Sequence, residues 1–139
     1  SKLRVEGALD LILADFIKDI SAERQNLSRF VEVLEYIDEN YKREISVEEL
    51  ASIMNISKVY FGNYFKSTFR ISPKQYILNK RLIESQRLLL DSRMSIKEIA
   101  YAVGFENENY FSEFFSQKVG ISALKFRNRE LQTTRKSIL

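Results

Sequence analysis

Two stretches of this chain are copies of one another. Ser46-Val47-Glu48-Glu49-Leu50-Ala51 returns as Ser95-Ile96-Lys97-Glu98-Ile99-Ala100, 49 positions later. Tyr60-Phe61 with Phe65 then matches Tyr110-Phe111 with Phe115, and Ile71-Ser72 matches Ile121-Ser122. The offset is now 50, because the second copy carries one extra residue in its turn. Self-similarity at a fixed period marks one supersecondary unit built twice. Any fold for this chain has to house both copies.

Each copy reads as two short helices. Ser46 and Ser95 are N-caps by type, and Glu49 and Glu98 three residues later complete capping boxes. The apolar positions that follow, Val47, Leu50, Ala51 and Ile96, Ile99, Ala100, share one helical face. Turns fall at Met54-Asn55-Ile56 and Val103-Gly104-Phe105, where Asn55 and Gly104 tolerate the left-handed backbone that ends a helix. Ser57 and Asn107 cap the next helices, whose apolar stripes are Tyr60, Phe61, Tyr64, Phe65, Phe69 and Tyr110, Phe111, Phe114, Phe115, Val119. Small Ala51 and Ala100 let two helices cross closely over a short turn, which is helix-turn-helix geometry. Two αα-hairpins packed in a plain bundle are the alternative, and duplication at this spacing weighs against it.

Between the copies, Pro73 suits the first turn of a helix running to about Asp91, with Ile77, Leu78, Leu82, Ser85, Leu88 and Leu89 inward. Nineteen residues make a rod of roughly 28 Å. Such a rod suits two reading helices held about one turn of B-DNA apart, near 34 Å. At 139 residues, 45% hydrophobic, with four Gly and one Pro, the chain suits one all-α unit or two small cores sharing a helix. With no Cys and no His it lacks a thiol nucleophile, an imidazole base and a soft metal site, so neither an enzyme nor a cofactor or metal is expected. No run nears the roughly 20 apolar residues of a membrane span and no signal peptide is evident, so a cytoplasmic protein without membrane partners is expected. The net charge of +3 divides unevenly: residues 1–56 carry −5 and residues 57–139 carry +8. The basic later part suits a polyanion.

From about Ile45 to Arg127 the sequence resembles the AraC/XylS DNA-binding domain. Ile99-Ala100, Val103-Gly104-Phe105, Tyr110-Phe111, Phe114-Phe115, Gly120-Ile121-Ser122 and Phe126-Arg127 match the family's second unit, and Arg81-Leu82 with Leu88-Leu89 resembles its linking helix. The resemblance implies about seven helices, two helix-turn-helix subdomains joined by a long central helix with an extra N-terminal helix, and no catalysis. It implies base-facing positions at Val59, Gly62 and Asn63 in the first reader and Glu108, Asn109, Ser112 and Glu113 in the second. Phosphate contacts are implied at Ser46, Ser57, Lys58, Lys66, Lys74, Arg81, Ser95 and Asn107. Double-stranded DNA and RNA polymerase are the implied partners, with an upstream sensor domain and dimerisation in a longer parent protein.

The chain departs from the family pattern in places. Many members have Arg where Asn63 and Glu113 stand, a basic residue in place of Ser116, and Pro in place of Ala123. The first reader, residues 57–74, carries Lys58, Lys66, Arg70 and Lys74 and no acid, whereas residues 106–118 hold three Glu and one Lys. The acidic second unit is therefore either a selective reader, with Glu accepting from cytosine and Asn pairing with adenine, or an auxiliary contact or protein-binding surface. The aromatics Tyr60, Phe61, Phe65, Tyr110, Phe111 and Phe115 are expected in the core rather than as a stacking platform for single strands.

Phe30, Val33, Leu34, Ile37 and Tyr41 form a helical stripe expected to cover the first unit. Residues 1–27 are expected to be a linker or the end of an upstream domain, and 28–139 the DNA-binding domain. Its first helix-turn-helix spans about 46–70, its linking helix 73–91 and its second 95–120. The stripe Leu9, Ile12 or Leu13, Phe16, Ile17, Ile20 also has coiled-coil spacing. With fewer than three clear heptads, packing onto the domain is the expectation. The basic tail from Arg127 through Arg129, Arg135 and Lys136 is expected to fray. An adaptor that binds a basic protein is the rival to DNA binding, and salt dependence separates the two.

Overall fold

Caps and turns repeat in register through the molecule. The computed structural model describes residues 2–138, with side chains from residue 9 onward. Over that span the order is α1 (Lys2–Asn40), α2 (Val47–Ile53), α3 (Lys58–Phe69), α4 (Pro73–Asp91), α5 (Ile96–Ala102), α6 (Glu108–Val119) and α7 (Ala123–Ile138). Ser46 accepts from the Glu49 N–H and Ser95 from the Glu98 N–H, each at 3.1 Å. Ser57 accepts from Tyr60 at 3.2 Å, and Asn107 from Tyr110 at 2.7 Å. Ser72 and Ser122 do the same for α4 and α7, at 3.1 and 3.2 Å. A side chain thus satisfies one orphan N–H at the same three helix starts of both copies. Only the first capping box closes: Glu49 accepts from the Ser46 N–H at 3.2 Å, and Glu98, expected to do likewise, makes no return bond among the described contacts.

The turns of the two units share one bonding scheme. Ile56 N–H reaches Ala51 O at 3.2 Å and Asn55 N–H reaches Ser52 O at 3.2 Å; Phe105 to Ala100 at 2.9 Å and Gly104 to Tyr101 at 3.1 Å repeat the pair. These are Schellman closures, with Asn55 (φ 55°) and Gly104 (φ 104°) in the left-handed position. Glycine at 104 has a second cause, since a Cβ there would lie 2.8 Å from the Lys42 carbonyl oxygen.

The two units have separate cores. Phe30, Val33, Ile37, Leu50, Phe61 and Phe65 fill the first. Leu89, Ile99, Val103, Phe105, Phe111 and Phe115 fill the second. The long helix α4 serves both: Ile77 belongs to the first core, while Leu89, with half-buried Leu78, Leu82 and Leu88, belongs to the second. Tyr41, just past α1, packs against both.

Three expectations need correction. The N-terminal stripe does not pack onto the domain: residues 9–25 are exposed throughout, because α1 runs unbroken from Lys2 to Asn40 with no Gly or Pro after Gly7 to fold it back. The helix also crosses residues 27–28 without a break. The basic tail is not frayed, since α7 continues to Ile138, although its side chains after Glu130 face solvent. The aromatics divide: Phe61, Phe65, Phe111 and Phe115 are fully buried, but Tyr60 and Tyr110 are 56% and 45% exposed at the starts of α3 and α6.

Glu49 anchors the first unit as well as capping it. Its carboxylate accepts from the Tyr36 hydroxyl at 2.7 Å and from Arg43 at 2.8 Å, so α2 is tied to α1 and to the loop after it. Arg43, with Tyr36 and the Ser46 N–H, holds the Glu49 carboxyl at about 2, against an ordinary 4.5. A depressed carboxylate pKa stabilises the fold above the unfolded value and is lost as pH falls through the folded one. Thermal stability should therefore decline as pH drops from about 4.5 toward 2. Thermal unfolding of Glu49→Gln across that window should show a flatter decline than the parent chain.

Candidate nucleic-acid interface

The second helix of each unit turns its inner face to the core and leaves its outer face free of protein. On α3, Val59, Asn63, Lys66 and Arg70 follow one another along the exposed side, with half-buried Gly62 between them. Val59 is 73% exposed, an apolar side chain with no packing role in this chain. Gly62 would meet no atom within 4 Å if it carried a Cβ. On α6, Asn109, Glu113 and Gln117 are exposed, while Glu108, Ser112 and Ser116 are half-buried. Ser112, Glu113, Ser116 and Gln117 border a shallow depression. The Ser116 hydroxyl donates to the Ser112 carbonyl at 2.9 Å and so turns toward its own helix.

Between the readers lies a cleft of about 790 Å³. Ile45, Leu50, Ile77, Leu78 and Phe105 form its apolar walls, and Lys42, Lys58, Lys74 and Arg81 bring positive charge to it. Glu44, Glu48 and Glu106 also line it, and Lys58 pairs with Glu48 at 2.9 Å. That contact holds the Glu48 carboxyl below its ordinary value. Ser46 and Asn107 line the same cleft, one from each unit, whereas Ser57, Lys66 and Ser95 lie outside it. The cap oxygens of Ser46, Ser57, Ser95 and Asn107 are occupied by their own helices. For an anion, the hydroxyl protons of Ser57 and Ser95 and the Asn107 amide N–H remain, since the Ser46 hydroxyl faces Glu49 at 3.4 Å.

Arg81, expected beside a DNA backbone, is placed otherwise. Its Nε donates to the Tyr41 carbonyl at 2.7 Å and its Nη2 to the Arg43 carbonyl at 2.9 Å. The guanidinium also lies 5.8 Å over the Phe105 ring, and burial pulls its pKa below the ordinary arginine value. It thus joins the α1–α2 loop to the turn of the second unit. Arg127 makes a related bond from α7, Nε to the Leu89 carbonyl at 2.9 Å.

Sequence pattern had pointed to neither Lys42 nor this use of Arg81. Lys42 belongs to the α1–α2 connection, which carries no repeat, and reaches the cleft only because α4 draws that loop toward the second turn. The Pro73–Asp91 rod, by contrast, lies where periodicity set it.

Duplicated helix-turn-helix units that expose both second helices around a partly basic cleft define a DNA-binding module. A family model described as a helix-turn-helix domain matches residues 50–129, more than half of the chain. The chain belongs to the AraC-type helix-turn-helix family and is the DNA-binding domain of a transcription regulator. It is 32% identical over 98 residues to the uncharacterised regulator YdiP of Escherichia coli K12, covering 70% of this chain and 32% of that one. It is 31% identical over 138 residues to the Msm operon regulatory protein of Streptococcus mutans, covering 95% of this chain and 49% of that one. The DNA-binding domain of AdpA, solved in complex with a target DNA, is 28% identical with a TM-score of 0.67, over 71% of this chain and 89% of that one. The chain spans about a third to a half of these curated relatives.

Two outcomes follow from the geometry. Arg81→Met strands the Tyr41 and Arg43 carbonyls, and should lower unfolding free energy by about 1–3 kcal/mol in denaturant melts. Gly62→Ala fills open space on a helix and should raise stability by about 0.5–1 kcal/mol in the same melts. If DNA approaches α3 at Gly62, the same variant should bind duplex more weakly, so stability and binding move in opposite directions.

Proposed function

We propose that α3 and α6 enter successive major grooves on one side of a duplex and read an asymmetric site of two boxes. The observation that carries this is the pair of protein-free outer helix faces flanking one cleft, to which the first unit and the start of α4 bring Lys42, Lys58 and Lys74 and the second unit brings Asn107 and Tyr110. In the first reader, Val59 meets a thymine methyl, Asn63 pairs with adenine, and Gly62 admits close approach. In the second, Glu108 and Glu113 accept from cytosine N4, with Asn109 and Ser112 beside them. Lys58, Lys66 and Lys74, with the N-cap groups Ser57, Ser95 and Asn107, serve phosphates. Lys42 joins them from the cleft. Ser46 and Arg81 act as positioning residues, because their donors are engaged within the protein.

The whole parent protein recruits or blocks RNA polymerase, carries an upstream sensor domain to which residues 1–27 connect, works as a dimer and acts in the cytoplasm. This domain binds without catalysis or a cofactor. A second assignment for α6, an auxiliary DNA contact or a protein-docking surface, is favoured by its acidity: Glu106, Glu108 and Glu113 stand against Lys118 alone.

Selection of bound duplexes from a random pool tests the bipartite mode. Two enriched boxes about one helical turn apart are expected, with Asn63→Ala relaxing one and Glu113→Ala the other, each by about 1–3 kcal/mol of discrimination. A single box insensitive to Glu113→Ala would give the reading to α3 alone. Affinity should fall steeply between about 50 and 200 mM salt, and Lys66→Ala should reduce the slope by about one. No enrichment at low salt would sink the DNA reading.

A further inference from the structure

Tyr60 and Tyr110 stand apart from the other aromatics of the two readers. Phe61, Phe65, Phe111 and Phe115 are fully buried, whereas the tyrosine just before Phe61 and the one just before Phe111 are about half exposed. Each ring is nevertheless seated. Tyr60 lies 5.9 Å from Tyr64 between ring centroids, and Tyr110 lies 5.4 Å from Phe105 and 6.5 Å from Phe114. Among the described hydrogen bonds, those to Ser57 and Asn107 use the backbone N–H of each tyrosine, and none uses its hydroxyl. A tyrosine has an apolar body and a polar tip, so a ring packed on one side holds its donor out at a fixed place.

Helical spacing sets both donors at the edge of the reading face. Tyr60 and Asn63, like Tyr110 and Glu113, are three positions apart, so each tyrosine adjoins the central reading residue on one side. Lys66, three positions beyond Asn63, adjoins it on the other. A helix in a major groove has a strand on either side, so its edges meet phosphates and the residues between them meet bases. We infer that the Tyr60 and Tyr110 hydroxyls each donate to one backbone phosphate at the edge of their box, across the groove from the edge that Lys66 serves in the first reader. The inference rests on the two-box reading above and adds to it an uncharged backbone contact common to both readers. The second reader depends on it more. Its counterpart of Lys66 is Ser116, whose hydroxyl is engaged by the Ser112 carbonyl at 2.9 Å, and Glu108 and Glu113 repel phosphate. Tyr110 also lines the cleft, and Phe105, on which its ring rests, carries the Arg81 guanidinium at 5.8 Å. The contact that joins the two units thus also seats this hydroxyl.

Tyr60→Phe and Tyr110→Phe remove the hydroxyls and keep the rings that pack, so both variants should unfold in denaturant like the parent chain. On the duplex enriched from the random pool, Tyr110→Phe should weaken binding by about tenfold and Tyr60→Phe by about threefold. The slope of affinity against salt should stay that of the parent, since no cation is lost. Replacing single phosphates of that duplex by uncharged methylphosphonate, one position at a time, locates the contacts. At one phosphate edging the first box the loss seen with the parent should shrink in Tyr60→Phe, and at one edging the second box it should shrink in Tyr110→Phe. Either variant binding as tightly as the parent, an affinity loss matched by a loss of stability, a changed salt slope, or methylphosphonate losses that neither variant alters would each overturn the inference, with the two-box reading still standing on its enriched boxes. A parent chain that binds no duplex overturns both.

Discussion

Arg81 holds the two halves of the domain in one arrangement. α1 ends by turning carbonyls outward, and Tyr41 and Arg43 lie where no further helical N–H can meet them. The guanidinium supplies both bonds, at 2.7 and 2.9 Å, from the middle of α4. Its planar fork suits two carbonyls at once, which a lysine ammonium on a flexible stem does not reproduce. With the Phe105 ring beneath it and Gly104 pressed against Lys42, one side chain touches the end of the first unit's supporting helix and the turn of the second. The distance between readers comes from the length of α4. Their relative angle follows from the faces of α4 that the two cores bury, Ile77 in one and Leu89 in the other, and this contact braces it.

Duplication explains the division between what was legible in the sequence and what was not. Caps, turns and core stripes are local, so Ser57, Asn107, Asn55, Gly104, Ile77 and Leu89 carried their roles in residue type and spacing alone. The outward residues of α3 and α6 were legible for the same reason, since the buried stripe fixes the opposite face. The cleft was not, as it joins residues 40 positions apart that share no pattern. Arg81 illustrates this: family likeness pointed it outward, and only the position of the Tyr41 carbonyl shows why it turns in. The stripe at Leu9–Ile20 misled in another way. Apolar periodicity shows that a face must be covered and says nothing about whether the cover belongs to the same domain.

The copies have diverged where they meet solvent and stayed alike where they meet the core. Arg70 closes α3 with φ 67°, a left-handed position that Gly120 occupies in the second copy with φ 91°. A side chain there costs about 1 kcal/mol, and in exchange the first reader gains a cation at its C-terminal end. The second copy keeps the unstrained glycine there and carries its last-turn cation at Lys118 instead. The first copy ties Glu49 to Tyr36 and Arg43, while the second is held from α7 by Arg127 on the Leu89 carbonyl, so each is braced by a different helix.

That asymmetry bears on how affinity and specificity divide between the readers. Each phosphate neutralised by a lysine releases counterions and adds affinity without regard to sequence, and α3 with its flanks holds Lys58, Lys66, Arg70 and Lys74. Lys58 gives part of its charge to Glu48 at 2.9 Å, but both groups are well exposed and such pairs are worth little in salt. A carboxylate near DNA is repelled by every phosphate and is compensated only where a base amino group donates to it. Under the two-box mode proposed above, Glu108 and Glu113 suit a reader that adds little affinity of its own and docks where the sequence matches. Such a reader works only if its position is fixed in advance, since flexibility would let it swing away from the backbone. The rigid α4 and the Arg81 clamp supply that constraint.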